Sequence, residues 1–113
     1  MTTTSNVVTQ DCMNQIVLRG RLGEGVAERN LVTGEATVTF RVIVDRAQRG
    51  RDGKSSDTID CVALSAALRR KVLKLSPGIH LDIEGALRRR FFRSGGALIS
   101  RYEVEVHSLT KVL

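Results

Sequence analysis

Short stretches of alternating hydrophobic and polar residues recur along the sequence, and this period of two is typical of β-strands with one buried face. In the first stretch, Ile16 to Leu22, Gly20 falls on the hydrophobic side, which indicates a bend or bulge in a curled strand. A short returning strand is predicted at Arg29 to Val32, before the turn signal Thr33-Gly34. The alternation predicts five main strands, at residues 16–22, 37–45, 58–64, 79–87 and 102–107.

One segment has helical spacing instead. Ser65 stands where an N-cap is expected, ahead of Leu68, Val72 and Leu75, and Pro77-Gly78 ends the helix. The order is therefore three main strands, one short helix and two strands. In an all-β chain, this order predicts a five-stranded oligonucleotide-binding (OB) barrel with the helix between its third and fourth strands.

The 113 residues are predicted to form one domain. We expect a flexible arm at residues 1–12, the barrel at residues 13–110 and a short end at residues 111–113. The polar N-terminus lacks the apolar core of a signal peptide, and no apolar run is long enough to span a bilayer. A cytoplasmic, nucleoid-associated protein without membrane contact is expected, with Cys12 and Cys61 reduced.

Positive charge indicates a polyanionic partner. The net charge is +6, and arginine, which matches phosphate geometry, far outnumbers lysine. Basic residues cluster in the loop between the second and third main strands: Arg46, Arg49, Arg51 and Lys54. A second cluster surrounds the last hairpin, with no acidic residue among its members: Arg88, Arg89, Arg90, Arg93 and Arg101.

In a barrel these two loops flank one face, so the clusters are expected to converge into a positive groove that follows a phosphate backbone. Arg19, Arg21 and Arg41 occupy the non-core face of their strands and are predicted to line its floor. The basic run at residues 69–74 is interpreted instead as the solvated face of the amphipathic helix.

Aromatic residues are few, and Phe40 lies on a core face. Phe91 and Phe92 are adjacent, so they point to opposite sides of their strand and one of them faces outward among arginines. That ring is the best candidate for stacking on a base. Tyr102, across the hairpin, is either a second stacking platform or a core residue with its hydroxyl at the rim.

Catalysis and metal binding are not indicated. The cysteines and histidines lack the close spacing of zinc sites, and no nucleophile stands beside a histidine in a recognisable motif. The glycines at residues 20–25 lack the lysine of a phosphate-binding loop. We expect no enzymatic activity and no cofactor.

Taken together, several segments resemble the bacterial single-stranded DNA-binding protein (SSB) family. Asn14 to Leu22 is similar to its first strand, Arg29 with Thr33-Gly34 to the next segment, and Pro77-Gly78 with residues 79–87 to its turn and fourth strand. The other matching segments are residues 40–44, 60–64 and 102–106. The resemblance spans about residues 13 to 109. It implies non-sequence-specific binding of single-stranded DNA in replication, recombination or repair, by a homotetramer or dimer.

The sequence departs from the family pattern in its base-stacking residues and in the tail through which family members recruit repair enzymes. Of the family's stacking aromatics only Phe92 has a counterpart here, while Gln48, Thr58 and Leu64 occupy the other positions. The sequence shows no Gly/Pro-rich linker or acidic tip after Lys111, so recruitment of repair enzymes through a tail is not expected. A short paralogue whose binding depends on arginine fits this pattern.

Two other functions fit the same sequence. One is an accessory factor of the primosomal replication protein n type, a dimeric barrel that also binds with few aromatics. The other is an assembly or regulatory subunit whose basic face meets an acidic protein. Binding to labelled oligo-dT distinguishes the last from both DNA-binding functions.

Overall fold

The computed structural model describes residues 11–112, so residues 1–10 of the predicted arm and the final residue lie outside it. The elements are, in order, β1 (Ile16–Leu22), β2 (Ala27–Asn30), β3 (Ala36–Asp45), β4 (Ser56–Ala63), α1 (Ala66–Leu73), β5 (His80–Ser94) and β6 (Ala97–Lys111). In this part of the chain, no helix has the length and apolar character needed to cross a membrane.

Five strands close into a barrel, and the short β2 forms a hairpin on the outer edge of β3. Going round the ring, β1 pairs with β5, β5 with β6, β6 with β4, β4 with β3, and β3 pairs again with β1. All of these pairs are antiparallel except β4–β6, where Cys61 lies opposite Val104. The helix connects β4 to β5, which is the third-to-fourth connection of the five barrel strands. The predicted OB barrel is therefore confirmed.

The apolar residues of the alternating strand pattern lie inside the barrel. Its fully buried members come from every barrel strand and from the helix, among them Leu22, Val42, Cys61, Val72 and Leu81. Burial raises the pKa of the Cys61 thiol to about 12, so this residue is a protonated core side chain. Ser65 caps α1 as predicted, because its hydroxyl accepts a hydrogen bond from the Leu68 backbone N–H.

Gly20 is buried on the inner side of β1, as the pattern predicted. A Cβ at this position would press on the backbone carbonyl oxygen of Ile43 and lie 2.9 Å from a Val42 methyl carbon. Glycine thus lets β1 approach β3 closely enough to close the ring. The irregularity in strand pairing falls elsewhere, between Glu84 and Gly85 of β5.

Some strand bounds differ from the prediction. The returning strand begins at Ala27 rather than Arg29. More importantly, β5 and β6 are 15 residues each, far longer than the alternation indicated, and β6 includes Lys111 of the expected short end. The alternation stops after Leu87 because the following residues have no core to face, but backbone pairing continues to a turn at Gly95-Gly96. Both turn glycines have positive φ, which suits a tight hairpin.

Candidate nucleic-acid interface

The last part of the β5–β6 pair extends beyond the barrel as a two-stranded ribbon. Pairing of β5 with β1 ends at Gly85, and pairing of β6 with β4 ends at Val104. Residues 88–103, which we call the projecting hairpin, pair only with each other and are mostly exposed. Because neighbouring residues of a strand point to opposite sides, the ribbon presents two separate faces.

Phe92 lies on the outer of these faces, between two arginines. The guanidinium carbon of Arg90 is 5.3 Å from the centre of the Phe92 ring, and that of Arg101 is 5.5 Å from it. Both distances suit cation–π attraction. The ring is half-buried. A base stacked on this ring would lie next to two positively charged guanidinium groups.

A groove of about 190 Å³ is lined by residues of β2 to β6, among them the two arginines that flank Phe92. The groove is lined by residues of both charges: Arg29, Arg41, Asp60, Arg90, Arg101 and Glu103. The Arg41 Nε lies 3.5 Å from an Asp60 carboxylate oxygen. The structure thus brings the predicted site residues Arg41, Arg90, Arg101 and Tyr102 together, and adds Arg29.

The expectation that the hairpin arginines have no acidic neighbour is wrong for Arg88 and Arg90. Arg88 lies 3.2 Å from Glu105, and Arg90 lies 3.8 Å from Glu103. No acidic residue lies between the arginines in sequence, but β6 places both glutamates beside them across the strand pair.

The hydrogen bond from His107, with a further one from Arg88, lowers the pKa of Glu105. Arg93 and Arg101 make no ion pair within residues 11–112.

Arg19 and Arg21 lie outside this groove. Arg19 makes two hydrogen bonds to Asp82, at 2.6 and 2.9 Å, which lower the pKa of that carboxyl group. Arg21 lies 3.0 Å from Asp45. Both side chains are on the non-core face, as predicted, but neither is among the residues that line the groove. Their contact with DNA stays a prediction.

The loop at residues 46–55 rises from the same end of the barrel as the projecting hairpin, because β4 and β6 run parallel. Arg46 is held at the base of the loop by Asp57, at 2.6 Å, and by Asp52, at 3.3 Å. Arg49 donates to the Gly53 carbonyl, while Arg51 and Lys54 are exposed. The convergence of this loop with the hairpin into a single groove stays a prediction.

Tyr102 is 59% exposed, so the alternative of a core tyrosine is wrong. It lies on the opposite face of the hairpin from Phe92, together with Phe91 and Arg89. The sequence analysis counted Arg89 in the basic cluster of the groove and left open which of Phe91 and Phe92 faces outward, so it did not identify this second face. The period-two pattern contained the necessary signal, since Arg89 and Phe91 share one face just as Arg90 and Phe92 share the other.

The family model for the single-strand binding protein family matches residues 13–112. The chain belongs to this family. Among solved structures, the fold is similar to that of Plasmodium falciparum SSB in complex with ssDNA. The TM-score is 0.73 at 18% identity, and the alignment covers 93% of this chain and 99% of the other. Comparison with curated proteins gave no match.

Membership of the single-strand binding protein family supports single-stranded DNA binding and agrees with a site made of arginines around a half-buried ring. Within the described residues, no group of three histidine, cysteine, aspartate or glutamate side chains could hold a metal ion.

Proposed function

We propose that this protein binds single-stranded DNA without sequence preference along the outer face of the projecting hairpin and the groove below it. The observation that carries the proposal is the Phe92 ring held between Arg90 and Arg101, in a chain of the single-strand binding family. The protein serves replication, recombination or repair in the cytoplasm as a non-catalytic binding module.

The chemistry of this face accounts for the lack of sequence preference. Every base has a π-face that can stack on Phe92, and arginines attract the phosphates that all strands share. Acidic residues among them, Asp60 and Glu103, fix the guanidinium groups in position and reduce the charge, so we expect moderate rather than indiscriminate attraction to polyanions.

Fluorescence anisotropy with labelled oligo-dT tests this function. We expect saturable binding, similar affinity for mixed-sequence strands of equal length, and much weaker binding to the corresponding duplex. Absence of oligo-dT binding, or equal affinity for duplex, would overturn the proposal. Absence of binding to any nucleic acid would favour the assembly-subunit alternative.

Removing both arginines around Phe92 is expected to flatten the salt dependence of binding. In Arg90→Gln/Arg101→Gln, the slope of log affinity against log salt should become less negative by about 1.4, since each lost phosphate contact removes about 0.7 for single strands. The matched control is Arg70→Gln/Lys74→Gln, which removes the same charge from exposed positions of the basic run interpreted as the solvated face of the helix. Anisotropy titrations over a salt series measure both, and equal changes would mean that only net charge matters.

Self-association is the second part of the proposal. Residues 16–20 of β1 pair with β5 on one edge, whereas pairing with β3 begins only at Arg21. An unpaired strand edge can extend a sheet into a second copy, and Val17 next to it is an exposed apolar residue. Light scattering should give a dimer or tetramer of the 12.4 kDa chain. A monomer at micromolar concentration would contradict this.

A further inference from the structure

The projecting hairpin has a second face, from which only Tyr102 also lines the proposed groove. Arg89, Phe91 and Tyr102 lie on the side opposite Phe92, with Arg89 directly across from Tyr102 in the strand pair. Tyr102 is two residues before the buried Val104, so this side continues the core surface of the sheet beyond the end of the barrel. We call these three residues the core-side face.

Two aromatic rings are exposed to solvent on the core-side face. Phe91 and Tyr102 are each 59% exposed, although large aromatic side chains usually bury most of their surface. The guanidinium carbon of Arg89 lies 5.2 Å from the Phe91 ring centre and 5.5 Å from that of Tyr102. Arg89 also donates to the Ser100 hydroxyl at 3.1 Å. One arginine therefore holds both rings in a fixed arrangement.

The positive charge of the core-side face indicates which kind of ligand fits it. Within residues 11–112, Arg89 makes no ion pair, and neither does Arg93 on the same side of β5. A fitting ligand is thus negatively charged and carries flat apolar groups, which describes the phosphates and unstacked bases of a single strand. A second copy of the chain would bring its own positive charge, and an acidic peptide would leave the rings without stacking partners.

We propose that bases of the bound single strand stack on Phe91 and Tyr102, which makes the core-side face a second base-binding site. This inference rests on the proposed function, since it assigns a further part of the protein to the same ligand. The strand then contacts both sides of the projecting hairpin, and the hairpin compensates for the scarcity of aromatic residues elsewhere in the chain.

Tyrosine emission reports directly on this face, because Tyr102 is the only tyrosine and the chain has no tryptophan. The experiment titrates the full chain with labelled oligo-dT and follows label anisotropy and Tyr102 emission in the same samples. We expect the emission to be quenched in proportion to the bound fraction. An oligonucleotide of equal length with abasic sites should bind more weakly and, once bound, leave the emission unchanged.

The outcomes separate the two proposals. Anisotropy that shows binding without any change in Tyr102 emission would overturn the second site and leave the proposed function intact. Absence of binding by anisotropy would overturn both. Emission that changes with protein concentration but not with DNA would mean that a second copy covers this face, which also overturns the second site.

A substitution tests the same inference without relying on tyrosine. Phe91→Leu keeps an apolar side chain but removes the ring, and should weaken oligo-dT binding by roughly 5- to 150-fold, the range for losing one stacked base. Binding of the abasic strand should not change. Val32→Ala, at an exposed apolar position in the turn before β3, is the control and should bind like wild type. Wild-type affinity of Phe91→Leu for oligo-dT would contradict the inference.

Discussion

Phe92→Ala is expected to weaken binding of oligo-dT by about 1–3 kcal/mol at each site, the cost of losing one base-stacking platform. The ring is the only aromatic group on the outer face of the projecting hairpin within the described residues, and Arg90 and Arg101 frame it. The loss should appear in anisotropy titrations at every salt concentration, with the salt slope nearly unchanged, because phosphate contacts remain.

The matched variant Phe92→Tyr keeps an aromatic ring at the same position and should bind almost as tightly as wild type. Because Phe92 is not part of the hydrophobic core cluster, circular dichroism should show that both variants are folded. Equal affinity of Phe92→Ala and wild type would mean that bases do not stack on the outer face. Equal loss in both variants would mean that packing at this position, rather than stacking, determines affinity.

Gly20→Ala is expected to lower the free energy of unfolding by about 1–3 kcal/mol, as overpacking of a tightly packed site does. The added methyl group would press on the Ile43 carbonyl oxygen, and backbone cannot move aside as a flexible side chain can. β1 and β3 would separate at the point where the ring closes. Urea denaturation followed by circular dichroism measures the change.

Gly23→Ala provides the control for this prediction, since it makes the same substitution three residues later. A Cβ at Gly23 would lie 3.4 Å from the Arg41 carbonyl oxygen, at the edge of ordinary contact. We expect a change in unfolding free energy well below that of Gly20→Ala. Similar values for the two variants would mean that the close approach of β1 to β3 at Gly20 does not limit closure of the barrel.

The barrel could be predicted from the sequence because its strands alternate against a single core. Residues 37–45 and 79–87 show this plainly, and Ser65 marks the start of the helix. The length of the projecting hairpin could not be predicted in the same way. Beyond Leu87 both faces are solvated, so hydrophobicity no longer alternates although the backbones remain paired.

The sequence analysis proposed the hairpin as part of the candidate site but did not identify the acidic partners of its arginines. The hairpin arginines were identified from their clustering in the sequence, and Phe92 was identified from the family resemblance. Their partners Glu103 and Glu105 come from the neighbouring strand, and the register that places them beside Arg90 and Arg88 depends on the turn at residues 95–96. Local sequence also leaves open which of two adjacent phenylalanines faces the groove, since tertiary packing decides it.

The central claim, that single-stranded DNA binds on the projecting hairpin, is tested most directly by photocross-linking. The full chain is irradiated with a bromouracil-substituted oligonucleotide, digested with trypsin, and the adducts are located by tandem mass spectrometry. Cleavage after Arg90 and Arg93 isolates a peptide that contains Phe92. We predict that the principal adduct lies on Phe92. Adducts confined to α1 or to the loop at residues 46–55, with the hairpin peptides unmodified, would contradict the account.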